Sequence, residues 1–277
     1  MRFAALLLAT GFAIASAEIR AVDQPKEPPK PAPGNAFDFI GRIEAATVEI
    51  RPRVTGYLEK ILVKEGAMVK QGDLLAEIDP RPYKTELDLA QAKLAAAMAG
   101  SKVTAANLAR LKEAITRGIV PKEELTQAEA EHERSEAMKD AAKAEVKLAE
   151  LNLSWTKLIA PMDGKVGRFR LTAGNLITSD GPSVVVVVAT DPLLVAFDVD
   201  ERTILKLRRD GLNVEKLTAT AGLADEDGFP HKVVVDFIEP QFNPATGTVR
   251  VRGVLANPKG LISPGMFVRV RLMPPAK

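Results

Sequence analysis

The side chains that carry most protein chemistry are scarce in this sequence of 277 residues. It contains no cysteine, which excludes disulfides, thiolate metal sites and cysteine nucleophiles. The two histidines, His132 and His231, have no ligand-type partners at metal-binding spacing, so we expect both on the surface. No Ser–His–Asp set, phosphate-binding loop or paired-carboxylate motif stands out. The sequence therefore predicts a protein that is not an enzyme and that binds no metal or cofactor.

Charged and aromatic residues narrow the choice of partner further. Lys and Arg number 38 against 36 Asp and Glu, aromatic residues make up 5%, and Trp155 is the single tryptophan. This balance predicts no nucleic-acid partner. The segment Asp225–Gly228 resembles part of a calcium loop but lacks its spaced ligands, so we interpret it as a solvated turn. Arginines two positions apart near the C-terminus suggest a membrane-surface or nucleic-acid contact, but a solvated strand edge is the expected environment.

The first 36 residues have the pattern of an export signal followed by a spacer. A positive start, an apolar run from Phe3 to Ile14 and Ala15-Ser16-Ala17 predict a signal peptide over residues 1–17. The alternative, a membrane anchor, is disfavoured because the run is shorter than the roughly 20 residues that a spanning helix needs. Residues 18–36 are proline-rich and predict an extended linker. We therefore expect export by a cleavable signal and no lipid anchor.

Two segments, 47–79 and 156–190, are predicted to form short strands joined by glycine-containing turns. Each contains an Ile-x-Pro followed shortly by a glycine, Ile50 to Gly56 in the first and Ile159 to Gly164 in the second. Chance similarity accounts poorly for this shared order. The two segments therefore predict one pseudo-symmetric β-sandwich whose halves pair in space.

Residues 80–155, between these halves, are rich in Ala, Leu, Glu, Lys and Gln and predict two long helices. Apolar and small residues recur every seven positions, which indicates an antiparallel coiled-coil hairpin with arms of roughly 50 Å. The predicted seam of the first helix is Leu87, Ala90, Leu94, Ala97, Ser101, Thr104, Leu108, Leu111 and Ile115. The predicted seam of the second is Ala130, Arg134, Ala137, Ala141, Ala144, Leu148, Leu151 and Trp155.

The turn of the hairpin is predicted at Arg117–Pro121. Gly118 suits the left-handed end of a helix, and Pro121 suits the first turn of the next one. Glu123 and Glu124 are favourable at the positive end of that second helix. The exposed polar residues along both arms indicate that the hairpin projects from the sandwich, and a projection of this kind is expected to bind a partner.

Residues 191–273 alternate apolar and charged residues in the manner of a small antiparallel β-barrel. Asp200 is positioned to cap a short helix over 201–209. Residues 37–46 are expected to add a strand to the barrel or to a membrane-proximal region. The last four residues, 274–277, are expected to be a tail.

Four stretches together resemble the periplasmic adaptor proteins, also called membrane fusion proteins or the HlyD-like family, of tripartite efflux pumps with resistance-nodulation-division (RND) transporters. They are Val48–Tyr83, Leu151–Gly167, Thr190–Glu201 and Thr246–Leu272. The resemblance implies an elongated, multi-module α+β fold: a split lipoyl-like β-sandwich, an inserted α-helical hairpin and a following β-barrel. It also implies that the chain largely lacks the family's membrane-proximal domain.

The resemblance implies a non-enzymatic adaptor in the periplasm. Its partners would be an inner-membrane RND transporter, a TolC-type outer-membrane duct, and further copies of itself in a ring, a trimer or a hexamer. An adaptor of an ABC-type exporter is the alternative. A lipoyl or biotin carrier is a more distant one, because Lys84, the nearest lysine, begins a helix and lacks the turn that presents a modifiable lysine.

The resemblance also points to the hairpin tip as the contact with the duct. Family members carry at the tip an Arg, a Leu four residues later and a Ser eleven residues later. Arg110 matches the first, but Ala114 and Pro121 replace the others, and Ile115 is the nearest substitute for the leucine. The predicted partner-binding residues are Arg110, Ala114, Ile115, Arg117, Gly118, Ile119, Val120 and Pro121.

Overall fold

A computed structural model describes residues 37–209 and 217–273. The predicted signal peptide, the linker over 18–36 and the tail over 274–277 lie outside the described residues. The elements before the hairpin are β1 (Phe37–Glu44), β2 (Thr47–Ile50), β3 (Gly56–Ile61), β4 (Met68–Val69) and β5 (Leu74–Ile78). The hairpin is α1 (Arg81–Thr116) and α2 (Lys122–Ser154). Then follow β6 (Lys157–Ile159), β7 (Gly164–Val166), β8 (Leu176–Ile177), β9 (Val185–Val188), β10 (Leu193–Asp200), α3 (Glu201–Arg209), β11 (Thr218–Gly222), β12 (His231–Ile238), β13 (Thr248–Leu255) and β14 (Phe267–Met273).

The strands on either side of the hairpin form one sandwich of two sheets, ordered β2-β9-β7-β4 and β6-β5-β3-β8. Exchanging β2–β5 with β6–β9 converts one sheet order into the other, so the sandwich has a pseudo-twofold axis. Antiparallel pairs such as Thr47 with Val188 and Tyr57 with Leu176 join the two halves. The predicted pairing of the halves is confirmed. The hairpin leaves from β5 and returns into β6, so its two ends are held together by neighbouring strands.

A barrel closes in the order β1-β10-β13-β12-β11-β14. Strand β1 pairs with both β10 and β14, so the segment before the sandwich completes the barrel that follows it. Inward-facing residues such as Phe197, Val251 and Val270 are buried almost completely. The Asp200 carboxylate accepts the backbone N–H of Thr203 at 2.9 Å, as expected for the cap of α3. The predicted fold class, a split sandwich with an inserted hairpin and a barrel, is confirmed.

Candidate partner-binding site on the helical hairpin

The tip of the hairpin is built by a backbone motif that ends α1. Gly118 has φ of +70°, a left-handed conformation that glycine adopts without strain. The N–H of Gly118 donates to the carbonyl of Ile115 at 3.0 Å, and the N–H of Ile119 donates to Ala114 at 3.2 Å. This pair of bonds is a Schellman motif, which satisfies carbonyls at the end of the helix.

The motif also determines which side chains the tip presents. Ile119 is 69% exposed, although it is one of the larger apolar residues of the hairpin. Ala114, Ile115 and Val120 are half-buried below it. The other predicted tip residues, Arg110, Arg117, Gly118 and Pro121, are exposed. The structure thus brings the predicted residues to the turn and the helix end beside it, with Ile119 outermost.

Two cations lie near the tip: Arg117 follows α1 directly, and Arg110 lies seven residues earlier in the helix. Arg117 pairs with Glu113 at 2.5 Å, and Arg110 donates to the side-chain oxygen of Asn107 at 3.1 Å. Pro121 has an extended conformation and stands before α2, so the prediction that it occupies the first helical turn is wrong by one position. Glu123 and Glu124 lie in that first turn, as predicted.

The seam that α1 presents to α2 is confirmed. All nine predicted positions are buried or half-buried, and Ala90 and Ser101 are the most deeply buried. Their spacing of three and four residues keeps one face of α1 toward α2 along its length.

The predicted register of α2 is wrong. Ala130, Ala137, Ala144, Arg134, Ala141, Leu148 and Leu151 are exposed, whereas Trp155 follows the helix and is half-buried. The residues that face α1 are Leu125, Ala128, His132, Ser135, Lys139, Ala142, Val146 and Ala149. Each wrongly predicted seam residue, from Ala130 to Leu151, lies two positions after a residue that faces α1, and both sets repeat every seven residues. The true seam was hidden because three of its members, His132, Ser135 and Lys139, are polar.

These polar residues form a layer in the middle of the hairpin. The Thr104 hydroxyl lies 2.6 Å from the Ser135 hydroxyl and 3.1 Å from Nδ1 of His132. Glu136 accepts hydrogen bonds from Lys139 and Ser101. The hydrogen bond from Lys139, followed by that from Ser101, lowers the pKa of the Glu136 carboxyl. His132 is therefore a half-buried member of this layer and not the surface residue that was expected.

The hairpin carries apolar residues on its outer faces as well. On α1 they are Leu89, Ala92, Ala96, Ala99, Val103 and Ala106, and all are exposed. On α2 they are Ala130, Ala137, Ala141, Ala144, Leu148 and Leu151. We call these sets the outer stripes. On α1 the stripe residues lie two positions from the seam, a rotation of about 200° around the helix, so they point away from the other arm.

The outer stripes cover the same length of the hairpin. The ion pairs Lys93–Glu145 at 3.0 Å and Lys112–Glu129 at 3.5 Å align the two arms. By this alignment, the two stripes lie at the same height of the hairpin, one on each outer face, over most of their length. Sequence reasoning found the α2 repeat but assigned it to the wrong side of the helix.

The barrel arginines form ion pairs across strands. Arg250 lies 3.3 Å from Asp198, Arg252 lies 2.9 Å from Asp236 and Arg271 lies 2.6 Å from Asp38. The hydrogen bond from Arg271 lowers the pKa of the Asp38 carboxyl. Exposed pairs of this kind contribute little stability each. The arginines expected at a solvated strand edge thus form cross-strand ion pairs on the partly exposed barrel surface.

The acidic turn at 225–228 is held by its own contacts. Glu226 accepts the N–H of Leu223 at 2.8 Å and lies 2.8 Å from Nε2 of His231. The bond from Leu223, more than that from His231, lowers the pKa of the Glu226 carboxyl. His231 is half-buried in this contact, which corrects the expectation that it lies free on the surface.

Within 37–209 and 217–273, no three His, Asp or Glu side chains are grouped so that they could hold a metal ion. In the same ranges, no helix combines the length and the apolar character that crossing a membrane requires.

A split sandwich with an inserted hairpin and an adjoining barrel defines the class of barrel-sandwich hybrid proteins. The family model described as "RND MFP, barrel-sandwich hybrid domain" matches residues 46–189, and a "CusB-like, beta-barrel domain" matches residues 211–276. The chain therefore belongs to the membrane fusion proteins (MFPs) of RND systems.

Curated relatives agree with this assignment. The efflux pump periplasmic linker BepD of Brucella suis is 33% identical over 86% of this chain and 62% of its own length. The multidrug efflux pump subunit AcrA of Escherichia coli K12 is 31% identical over 85% of this chain and 61% of its own length. The chain thus spans about three fifths of the length of these relatives.

Solved structures share the fold. A MacA-MexA chimeric protein containing the Pseudomonas aeruginosa MexA α-hairpin domain has a TM-score of 0.62 and 26% identity, over 86% of this chain and 80% of its own. The membrane fusion protein Spr0693 of Streptococcus pneumoniae R6 has a TM-score of 0.65 over 87% of this chain and 100% of its own. Its identity is 15%, so it supports the fold alone.

Proposed function

We propose that the protein is a non-enzymatic periplasmic adaptor, which links an inner-membrane RND transporter to an outer-membrane duct for the efflux of small molecules. The observation that carries the proposal is the exposed tip of a long hairpin in a chain of the RND MFP family. The relatives named as efflux pump linkers and subunits support it. Export by the signal peptide predicted at residues 1–17 would bring the chain to the periplasm.

The hairpin tip is the proposed contact with the duct. Ile119 supplies exposed apolar surface, Arg117 supplies a cation in the same turn, and Arg110 supplies another about two helical turns below. Ala114 and Pro121 stand where the family pattern has Leu and Ser, and both lie within the turn or one helical turn below it. We therefore propose that Ile119 provides the apolar contact that the missing leucine provides elsewhere.

The barrel is the proposed contact with the transporter. Its outer surface exposes Ile40 and Phe267 on the neighbouring strands β1 and β14, and both side chains are more than half exposed. Large apolar side chains that neighbour each other on a surface commonly mark an interface. Cross-strand ion pairs such as Arg271–Asp38 lie on the same strands and give this surface a polar rim.

Self-association into a ring, as a trimer or a hexamer, is the proposed state of assembly. The outer stripe of α1 in one copy can pack against the outer stripe of α2 in the next, because both lie at the same height of the hairpin. This contact joins two different surfaces, so it repeats head to tail and closes when the rotation between copies allows. A ring repeats each weak tip contact several times and so raises the avidity for the duct.

The two alternatives have less support. An adaptor of an ABC-type exporter would share this fold, but the matching family model is that of RND systems. A lipoyl or biotin carrier would need a modifiable lysine at a tight turn between the sandwich halves. The hairpin occupies that connection, and Lys84 lies in the first turns of α1.

Crosslinking in intact cells tests the proposal. The protein should crosslink to an RND transporter and to an outer-membrane duct. Ile119→Asp should remove the duct crosslink, since a charge in an apolar contact costs several-fold in affinity, and should leave the transporter crosslink unchanged.

Leu62→Asp is the matched control, because Leu62 is 51% exposed in the sandwich and far from the tip in the chain. It should preserve both crosslinks. Capture of an ABC transporter instead of an RND transporter would favour the alternative. An unchanged duct crosslink in Ile119→Asp would contradict the assignment of the tip.

A further inference from the structure

A groove lies at the root of the hairpin, away from the tip. Its volume is about 640 Å³, and it is lined by β2, β6, the end of α2 and the turns beside them. The strands β2 and β6 are the end strands of their respective sheets, so the groove lies between two free sheet edges. They are also equivalent under the pseudo-twofold exchange of the halves.

The free edge of β6 has backbone groups available for pairing. Thr156 accepts from Ile78, and Ala160 bonds Asp73 and Gly72, so these residues face β5. In an antiparallel ladder, alternate residues direct their backbone groups to opposite sides. Lys157 and Ile159 therefore direct theirs away from β5 and toward the groove.

The groove is lined by positive charge and one aromatic ring. Arg51, Arg53 and Lys157 line it, and the Arg53 guanidinium lies 5.6 Å from the ring centroid of Trp155. Glu49 is the lining carboxylate, and Arg51 and Arg170 already pair with it at 2.8 Å and 3.5 Å. Within the described part of the chain, Arg53 and Lys157 form no ion pair.

The floor between the charges is apolar. It includes Ile50, Leu158 and the half-buried Trp155. Successive side chains of an added strand point to opposite sides. A segment that alternates acidic and apolar residues would therefore place carboxylates on the cations and apolar side chains over this floor.

We propose that this groove binds an extended acidic segment of a partner protein, which pairs as an additional strand with the free edge of β6. Exposed edges of this kind bind peptides through main-chain hydrogen bonds. The site is separate from the hairpin tip and does not depend on the adaptor function.

A partner protein is favoured over a second copy of this chain. In residues 37–209 and 217–273, the closely spaced carboxylates lie in α1 and α2, in the inner strands β5 and β10, or in the turn at 225–227. A helix or an already paired strand has no free backbone groups to add to β6. The described chain therefore offers no acidic segment that fits its own groove.

Trp155 makes the test direct, because it is the only tryptophan of the chain and lies in the groove. The full chain is titrated with a capped peptide of about eight residues that alternates Glu and Val, and the fluorescence of Trp155 is followed. We expect a saturable change, and Lys157→Glu should raise the Kd roughly tenfold. Lys165→Glu is the matched control, because Lys165 is also exposed on a short strand of the sandwich, and it should leave the Kd unchanged.

Two further peptides test separately whether binding requires negative charge and whether it requires main-chain hydrogen bonds to β6. A peptide with Lys in place of Glu should not bind, and one N-methylated on the edge that would face β6 should bind at least tenfold more weakly. Equal binding of the N-methylated peptide would overturn strand addition. Without peptide, the fluorescence of Trp155 should not depend on protein concentration. If it does, and if Lys157→Glu removes that dependence, the groove binds a second copy of this chain. Far-UV circular dichroism shows whether each variant is folded, and Lys157→Gln supplies a milder variant with the same expected direction.

Discussion

The barrel and the hairpin bury their apolar residues to different extents. Barrel residues such as Val195, Val251 and Val270 are fully buried, because six strands close around them. The hairpin buries small residues along one seam, and its largest well-buried aliphatic residue is Val146 at 9% exposure. Leu89, Val103 and Leu148 remain more than half exposed on its outer faces.

This difference indicates how each region is stabilised. A closed barrel satisfies its strand edges and its core within one copy. Two helices in contact cover one face each, and most helical stability in proteins comes from packing of such faces. The hairpin therefore has apolar surface left for a neighbour, whereas the barrel core has none.

The largest expected difference between the barrel and the hairpin is in the free energy of unfolding that a Val→Ala substitution costs. Val251→Ala should lower the free energy of unfolding of the barrel by about 2–3 kcal/mol, from lost transfer free energy and a cavity. Val146→Ala should lower that of the hairpin by about 1 kcal/mol, because the seam is narrow and lies close to solvent. Differential scanning calorimetry measures both, since separate modules unfold in separate transitions.

Two further variants, Ala142→Gly in the hairpin and Val234→Ala in the barrel, serve as comparisons for Val146→Ala and Val251→Ala. The first should destabilise the hairpin by about 1 kcal/mol through helix propensity, and the second should change little, because Val234 is 57% exposed. Equal losses for Val251→Ala and Val146→Ala would show that the hairpin seam is packed as tightly as the barrel core.

A charge on an outer stripe should act on assembly and not on the single copy. Leu148→Glu should change the free energy of unfolding by less than about 0.5 kcal/mol, since Leu148 is 58% exposed. It should weaken self-association at least tenfold, as measured by sedimentation at several protein concentrations. Lys147→Glu, one position away and outside the stripe, is the control and should associate nearly as the wild type does. Unaltered association of Leu148→Glu would contradict stripe-to-stripe packing.

The polar layer of the hairpin predicts that its stability depends slightly on pH, whereas the apolar barrel core contributes no such dependence. The pKa of Glu136 is lowered by its bonds from Lys139 and Ser101, so the stabilisation is present above the pKa of the unfolded chain. It is lost as the pH falls through the lower pKa of the folded state. NMR titration of the Glu136 carboxyl carbon should give a pKa below the ordinary value, and Lys139→Met should raise it. A pKa unmoved by Lys139→Met would refute this origin of the shift.

The helices α1 and α2 show how far a seven-residue repeat predicts which face of a helix is buried. On α1 five of the nine seam positions are Leu or Ile (Leu87, Leu94, Leu108, Leu111 and Ile115), so the predicted seam was correct. On α2 small residues repeat every seven positions on two faces: Ala128, Ser135 and Ala142 on one, and Ala130, Ala137 and Ala144 on the other. Alanine fits both a seam and a surface, so the pattern alone could not select between them. Contact with α1 selected the face that carries His132 and Ser135.

The structure of the hairpin tip was also only partly predictable from the sequence. Gly118 was predicted as the left-handed end of α1 because glycine adopts positive φ without a steric penalty. The prominence of Ile119 depends on the two bonds that fold the chain back onto Ala114 and Ile115. The groove at the root of the hairpin had no signal in the sequence, because Arg53 and Lys157 belong to opposite halves of the sandwich.

The sequence by itself determined the modules of this protein. Alternation of apolar residues gives strands, heptad spacing gives long helices, and glycine positions give turns, because each of these depends on residues close in the chain. The tertiary structure decided which face of α2 is inside, that β1 completes the barrel, and that two free edges enclose a basic groove. Those outcomes depend on contacts between residues distant in sequence, and several candidate contacts satisfied the local pattern equally well.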